Sequence, residues 1–166
     1  MFTLLFIALV IIGLFVLSGC AVVEPTPAAT PQPSILRDGA GGDSIAWGTG
    51  QALHVATFAR VGEPSCPNRK RPGILSLLPA EHFNRFVMSA GVNDAPGLCV
   101  PKIAAWMSGH TARGYWLVGY GAPESAMVVN SAAAYGQRVL FFTPGPDRVH
   151  PRSYPEVAGA VRRAWQ

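Results

Sequence analysis

Tyr115-Trp-Leu-Val-Gly-Tyr120 and Arg138-Val-Leu-Phe-Phe-Thr143 are two unbroken apolar runs of strand length in the second half of the chain. Strands that are buried on both faces of a parallel sheet have this character, whereas half-exposed strands alternate. A helix is predicted between the two runs, from Pro123 to about Tyr135. Two buried strands joined by a helix indicate a parallel crossover. The predicted fold class is therefore α/β, with at least two parallel strands.

Further elements complete the predicted domain, which covers residues 51–166. Alternation predicts a strand at 52–60, and apolar spacing predicts helices at 79–90 and 101–107. A last helix begins near Tyr154, and its apolar side chains recur at helical spacing: Val157, Ala160, Val161, Ala164 and Trp165. This order of elements indicates one small sheet with helical crossovers and a single core.

Residues 24–50 are predicted to form a spacer that precedes the domain. Four prolines fix the backbone of its first part in an extended polyproline II conformation: Pro25, Pro27, Pro31 and Pro33. Five glycines follow between Asp38 and Gly50. They predict a loop at 38–50 that lies over the domain surface or over a partner.

Residues 1–23 are predicted to attach the chain to a membrane. No side chain from Phe2 to Val23 is charged, and about 20 apolar residues suffice to span a bilayer core. The ending Leu17-Ser-Gly-Cys20 resembles the lipobox of bacterial lipoproteins, which implies that Cys20 is diacylated and becomes the mature N-terminus. A second interpretation retains residues 1–23 as a transmembrane helix. Both place the domain outside the cytoplasm, in the periplasm or on the outer face of the cell membrane.

Cys66 and Cys99 form an even pair once Cys20 is assigned to the anchor. Cysteine pairs outside the cytoplasm usually oxidise. A disulfide between them would close a loop of about 33 residues, worth roughly 3–4 kcal/mol in the chain-entropy model. The sequence therefore predicts a Cys66–Cys99 disulfide, with a reactive thiol served by a histidine base as the alternative.

A ligand crevice is predicted where the strands end, because open α/β sheets bind ligands beyond the carboxyl ends of their strands. Gly119, Gly121, Glu124 and Ser125 follow the first quoted strand, and Arg148 follows the second. Gly-x-Gly before a helix suits an anion, although the third glycine of a dinucleotide site is missing. A glycine-rich turn between a strand and a helix explains the same residues without a ligand.

No catalytic motif, metal site or cofactor motif is evident from the sequence. His54, His82, His110 and His150 are scattered singly and lack the spacing of zinc ligands. Gly-x-Ser-x-Gly and phosphate-loop motifs are absent, and the acidic residues form no paired motif. No catalytic residue, metal or cofactor is therefore predicted.

The basic cluster Arg69, Lys70 and Arg71 suits anionic lipid headgroups or an acidic partner surface. Nucleic acid is not expected as a partner of an exported domain. Hydrophobic residues make up 49% of the chain and charged residues 13%, a composition that suits burial against other subunits.

We therefore expect a membrane-anchored, non-catalytic accessory subunit of a larger membrane complex. Electron-transport complexes of the alternative complex III type and envelope assemblies are the candidates. The alternative is an envelope lipoprotein that acts as an enzyme or a small-ligand-binding protein through the crevice at the strand ends.

Overall fold

The computed structural model describes residues 37–95 and 97–166, so the predicted anchor, Cys20 and the prolines of the spacer lie outside the described residues. The strands are β1 (Arg37–Gly42), β2 (Ala56–Ala59), β3 (Phe83–Ser89), β4 (Thr111–Gly119) and β5 (Arg138–Phe142). The α-helices are α1 (Ser44–Leu53), α2 (Val100–His110), α3 (Ser125–Ala134) and α4 (Tyr154–Trp165), with a short 3-10 helix at Ile74–Leu77. None of these helices combines the length and the apolar character that crossing a membrane requires.

The five strands form one sheet in the order β2-β1-β3-β4-β5, and every neighbouring pair is parallel. The α/β prediction is therefore confirmed. From β1 the chain moves to β2 on one side, and from β2 it returns to β3 on the other side of β1. The direction of winding thus reverses between β1 and β3, and crevices open beyond the carboxyl ends of strands at such a point.

Helices cover both faces of the sheet. On one face, α1 and α4 pack over Ala40, Val87, Tyr115 and Leu117. On the other face, α2 and α3 pack over side chains of β3 and β4: Phe86, Met88, Trp116 and Val118. Because β1, β3 and β4 are covered on both faces, apolar and polar residues do not alternate along their sequences.

The predicted loop at 38–50 is wrong, because these residues form β1 and most of α1. The glycines are required for packing. A Cβ atom on Gly39 would lie 2.7 Å from the Phe86 ring, and one on Gly41 would lie 2.8 Å from it. Residues 37–50 thus belong to the folded domain, where small residues let β1 lie under the Phe86 ring.

The predicted helix at 79–90 is also wrong, because Phe83–Ser89 is the central strand β3. The predicted strand at 52–60 is shorter in the structure, since α1 runs to Leu53 and β2 covers only Ala56–Ala59. The elements predicted at 101–107, 115–120, 123–135, 138–143 and from Tyr154 are confirmed as α2, β4, α3, β5 and α4.

Candidate functional site

Ser44 lies at the point where the winding reverses, directly beyond the carboxyl end of β1. Gly42 ends β1 with φ +128°, and a Cβ atom there would overlap the Ser89 carbonyl oxygen of β3. The Asp43 amide donates to that carbonyl oxygen at 3.1 Å. The chain therefore turns sharply against β3, and Ser44 becomes the first residue of α1.

A hydrogen-bonded series of three side chains joins Ser44, His150 and Asp147. Ser44 Oγ lies 2.9 Å from His150 Nε2, and His150 Nδ1 lies 2.6 Å from Asp147 Oδ2. An ionised carboxylate only accepts hydrogen bonds, so Nδ1 carries the proton and Nε2 accepts from the Ser44 hydroxyl. This arrangement is that of a nucleophile, a general base and a carboxylate that orients the base.

The loop between β5 and α4 holds the histidine in place. Asp147 Oδ1 accepts from the amides of Val149 and His150 at 3.0 and 2.9 Å. The Gly145 amide donates to the His150 carbonyl at 2.6 Å, which closes the loop. Arg148, between the acid and the base, has φ +62°, a conformation that is sparsely populated for residues other than glycine. Such backbone strain clusters at functional sites.

The hydrogen bonds to Asp147 also keep its carboxyl ionised. Donation from the Val149 amide, the His150 side chain and the His150 amide lowers the pKa of Asp147 to about 2. The carboxylate is exposed, so hydrogen bonding rather than burial sets its charge. At neutral pH it therefore fixes the tautomer and the orientation of His150.

Two groups at this edge of the sheet are candidate hydrogen-bond donors for a developing negative charge. The first amides of a helix have no partner within the helix; here Asp43 Oδ1 accepts from the Ile45 amide at 3.0 Å. The Ser44 amide has no hydrogen-bond partner among the described residues. On the loop after β3, the exposed Asn93 donates from Nδ2 to the Glu63 carbonyl oxygen at 3.0 Å. The second N–H of that amide group is available to a ligand.

The loop after β2 is tied to the loop after β3 by the disulfide Cys66–Cys99 and by hydrogen bonds of Asp94, which together we call the clamp. These two loops flank the Ser44 turn. Cys66 and Cys99 form a disulfide with Cα atoms 5.1 Å apart, which confirms their predicted pairing. Asp94 accepts from the Ser65 amide and hydroxyl, both at 2.8 Å, and from the Cys66 amide at 3.0 Å. These contacts fix the loop beside Asn93.

Two acids are buried behind the nucleophile. Asp43 is 0% exposed and Glu124 is 4% exposed. Burial raises the pKa of Asp43 to about 6, and the nearby Glu124 charge adds to the rise. Burial also raises the pKa of Glu124. Within the described part of the chain, Asp43 Oδ2 and Glu124 Oε2 have no hydrogen-bond partner. The Ser89 hydroxyl partly opposes the rise in the pKa of Asp43, although it is not in hydrogen-bond geometry with the carboxyl group.

Comparisons with known protein families, curated proteins and solved structures found no match. We therefore infer a function from the geometry of this chain. In residues 37–95 and 97–166, no group of three or more His, Cys, Asp or Glu side chains is placed to hold a metal ion.

The residues of the predicted crevice lie on the loop after β4, at the start of α3 and on the loop after β5. Gly119 ends β4 next to the loop between β5 and α4, where a Cβ atom on it would lie 3.1 Å from Pro144 Cγ. Gly121 is exposed, and the Ser125 amide already donates to the Ala122 carbonyl. Arg148 lies on the loop that carries Asp147 and His150. The anion-binding hypothesis for these residues stays a prediction.

The predicted basic cluster lies on the long loop between β2 and β3. Arg69 and Lys70 are exposed. Arg71 donates to the Val61 carbonyl at 2.9 Å, and its Nη1 lies 3.4 Å from the buried Glu63 carboxylate. Arg71 therefore stabilises its own loop, whereas Arg69 and Lys70 form no ion pair with another described residue.

Sequence reasoning missed Ser44, Asn93, Asp147 and His150 as functional residues. Two signals were available: a serine after a glycine-rich strand, and an acid three residues before a histidine in a loop after a buried strand. Interpreting 38–50 as a loop hid the first signal. Counting the histidines singly hid the second.

Proposed function

We propose that this protein is a serine hydrolase that cleaves carboxylic esters. We further propose that acyl chains on Cys20, which becomes the mature N-terminus when the preceding residues are removed, hold it at the outer face of a membrane. The single observation that carries the hydrolase is the series from Ser44 Oγ through His150 to Asp147, with distances of 2.9 and 2.6 Å. It favours the second function expected from the sequence, an envelope enzyme whose site lies at the strand ends.

The first half of the proposed reaction transfers the acyl group to the enzyme. Ser44 Oγ attacks the ester carbonyl carbon while His150 Nε2 takes the hydroxyl proton, and Asp147 stabilises the resulting imidazolium. The carbonyl oxygen becomes an oxyanion, and in this proposal the Ser44 amide and the Asn93 side chain bind it. When the carbon–oxygen bond breaks, His150 returns the proton to the departing alkoxide and an alcohol leaves.

The second half restores the free enzyme. A water molecule gives a proton to His150 Nε2 and attacks the acyl carbon, and the intermediate releases a carboxylic acid as Ser44 regains its proton. The positive end of the α1 dipole lies at Ser44 and favours the oxyanion in both halves. The reaction requires only water as a co-reactant.

The decisive test compares two serines that each begin a helix. We expect Ser44→Ala and His150→Ala to lower the rate of hydrolysis of a short-chain p-nitrophenyl ester by roughly 10⁴-fold or more. We expect Ser125→Ala, at the first residue of α3, to retain the wild-type rate. A fluorophosphonate probe should label wild-type protein on Ser44, as mapped by mass spectrometry. Wild-type activity in Ser44→Ala, or labelling at another serine, would contradict the proposal.

The accessory-subunit function expected from composition stays a prediction. None of the contacts in the described residues bears on whether the protein assembles with other subunits. An anchored hydrolase and a subunit of a membrane complex are compatible roles.

A further inference from the structure

Large apolar side chains are exposed on three loops at the carboxyl edge of the sheet. Val61 follows β2, Leu98 follows β3 and Tyr120 follows β4, with exposed fractions of 58%, 68% and 64%. The ring of Tyr120 stacks on Phe141 with centroids 5.3 Å apart, and Phe141 is itself 43% exposed. This group, the apolar rim, lies at the same edge as Ser44.

The clamp makes the apolar rim a defined surface. Leu98 precedes the disulfide cysteine Cys99, and Val61 lies on the loop that carries the partner cysteine Cys66. The Val61 carbonyl is also held by Arg71 at 2.9 Å. Exposed apolar groups that the fold holds in place in this way indicate an interaction site.

The exposed charges on these loops are mainly positive. Arg60, Arg69, Lys70 and Arg148 are exposed. Most acids of the same edge are buried or hydrogen-bonded: Asp43, Glu63 and Glu124 are buried, and Asp94 accepts from Ser65. Glu156, in the first turn of α4, is exposed and forms no ion pair with another described residue. Asp147 is exposed but is bonded to His150. The edge that carries the nucleophile therefore combines apolar side chains with positive charge.

Cavities of about 440 and 190 Å³ lie in the described part of the chain, and Ser44 and His150 are not among the residues that line them. The larger lies at the opposite, amino edge of β4 and β5, beside Arg113 and Arg138. Neither of these two cavities encloses the nucleophile, so the site is compatible with a substrate that is presented by a surface.

We propose that the carboxyl edge docks on an anionic lipid bilayer and that the substrates are acyl esters embedded in that bilayer. This inference rests on the proposed hydrolase. Apolar side chains enter the boundary between headgroups and acyl chains, while basic side chains bind the anionic headgroups. Docking places Ser44 opposite ester groups at the depth where lipids carry them.

The length of the chain before β1 permits this orientation. β1 starts at the amino edge of the sheet, and a six-residue strand is roughly 20 Å long. Residues 24–36 reach at most roughly 45 Å when extended. A chain anchored through residues 1–23 therefore has enough reach for the opposite, carboxyl edge to face the same membrane.

The test uses the full chain reconstituted in vesicles of phosphatidylcholine alone or with 30% phosphatidylglycerol. The variant Arg69→Glu/Lys70→Glu reverses two charges at the carboxyl edge, and the matched control Arg113→Glu/Arg138→Glu reverses two at the amino edge. In anionic vesicles we expect the first to lose about tenfold in hydrolysis of a bilayer-embedded ester. The loss should shrink in 0.5 M salt, and the control should keep the wild-type rate.

A soluble short-chain ester separates docking from chemistry. We expect both double variants to hydrolyse it at the wild-type rate. If Arg69→Glu/Lys70→Glu lowered the rate on the soluble ester as much as on the embedded ester, docking would be overturned. Arg69 and Lys70 would then act on the substrate itself. Equal rates in neutral and anionic vesicles, or equal loss in both double variants, would also overturn it.

Hydrogen exchange of the Ser44→Ala variant tests docking without turnover. We expect the amides of residues 60–71 to exchange more slowly in anionic than in neutral vesicles, and those of 111–113 to be unchanged. Unchanged exchange at 60–71 would overturn docking. Slower exchange at 60–71, combined with wild-type protein that neither hydrolyses esters nor reacts with fluorophosphonate, would support docking and reject the hydrolase.

Discussion

Asp43 is a buried acid that directly precedes the proposed nucleophile. Its carboxyl caps α1 through the Ile45 amide, an interaction that favours the charged form. Burial opposes this and prevails, so the pKa rises from 3.8 to about 6. The folded protein thus binds this proton more tightly than the unfolded chain. Stability contributed by the protonated group is complete below about pH 4 and is lost as pH rises through about 6.

Replacement of Asp43 by Asn should remove this pH dependence. Asparagine retains a capping oxygen and does not ionise. Wild-type protein should lose up to about 3 kcal/mol of its free energy of unfolding between pH 4 and 7, and Asp43→Asn should lose less. Urea unfolding at several pH values measures this, with the exposed Glu156→Gln as control. Parallel curves for wild type and Asp43→Asn would show that Asp43 ionises normally.

At the scale of elements, the loops after β2 and β3 act as one unit. The disulfide and Asp94 hold these loops together, and the Glu63 carbonyl holds Asn93. The loop after β5 is closed separately, by the Gly145 amide and by pairing of Pro144 with Pro151. Asn93 and His150 are therefore carried by two independently fixed loops, and His150 is the one with a direct contact to Ser44.

Removal of the disulfide should weaken the first of these loops. The variant Cys66→Ser/Cys99→Ser should lose about 3–4 kcal/mol of its free energy of unfolding. Its ester hydrolysis should fall mainly in kcat, because Asn93 acts on the transition state. Reductant should destabilise wild type by a similar amount and leave the variant, which retains Cys20, unaffected. Wild-type stability that is insensitive to reductant would contradict this role of the disulfide.

At the scale of the whole molecule, the site and the start of β1 lie at opposite edges of the sheet. The winding order β2-β1-β3-β4-β5 brings Ser44, Asn93 and His150 from three distant parts of the chain to one edge. Arg37, at the start of β1, lies at the other edge, where its side chain pairs with Glu81. The chain therefore enters the described domain at the edge opposite the site.

Mass spectrometry of native protein tests the predicted anchor. A processed lipoprotein should yield an N-terminal peptide that begins at Cys20 and carries acyl chains. The control is protein expressed as Cys20→Ala, which should yield no acylated peptide. An unmodified native peptide that spans Met1 to Cys20 would reject lipidation and support a retained transmembrane helix.

The sequence by itself determined the fold class and most elements of the second half. The run in β4 is apolar because both faces of that strand are covered, whereas the equally apolar run in β5 forms an edge strand that is only partly buried. The helix α4 has one apolar stripe because only one of its faces is buried. The patterns of β4 and α4 follow from local burial, so they can be read locally. The cysteine pair was likewise predictable, since only two cysteines remain once Cys20 is assigned to the anchor.

Only the tertiary structure decided the first half of the domain and the site. Phe83, Phe86 and Val87 fit helical spacing, but β3 lies between β1 and β4 and is buried on both faces, where spacing carries no information. The glycines of β1 resemble a loop until the Phe86 ring is placed against them. Ser44 and His150 are 106 residues apart in sequence. No local pattern joins them, because their contact exists only when β1 and the loop after β5 meet at the same edge of the folded sheet.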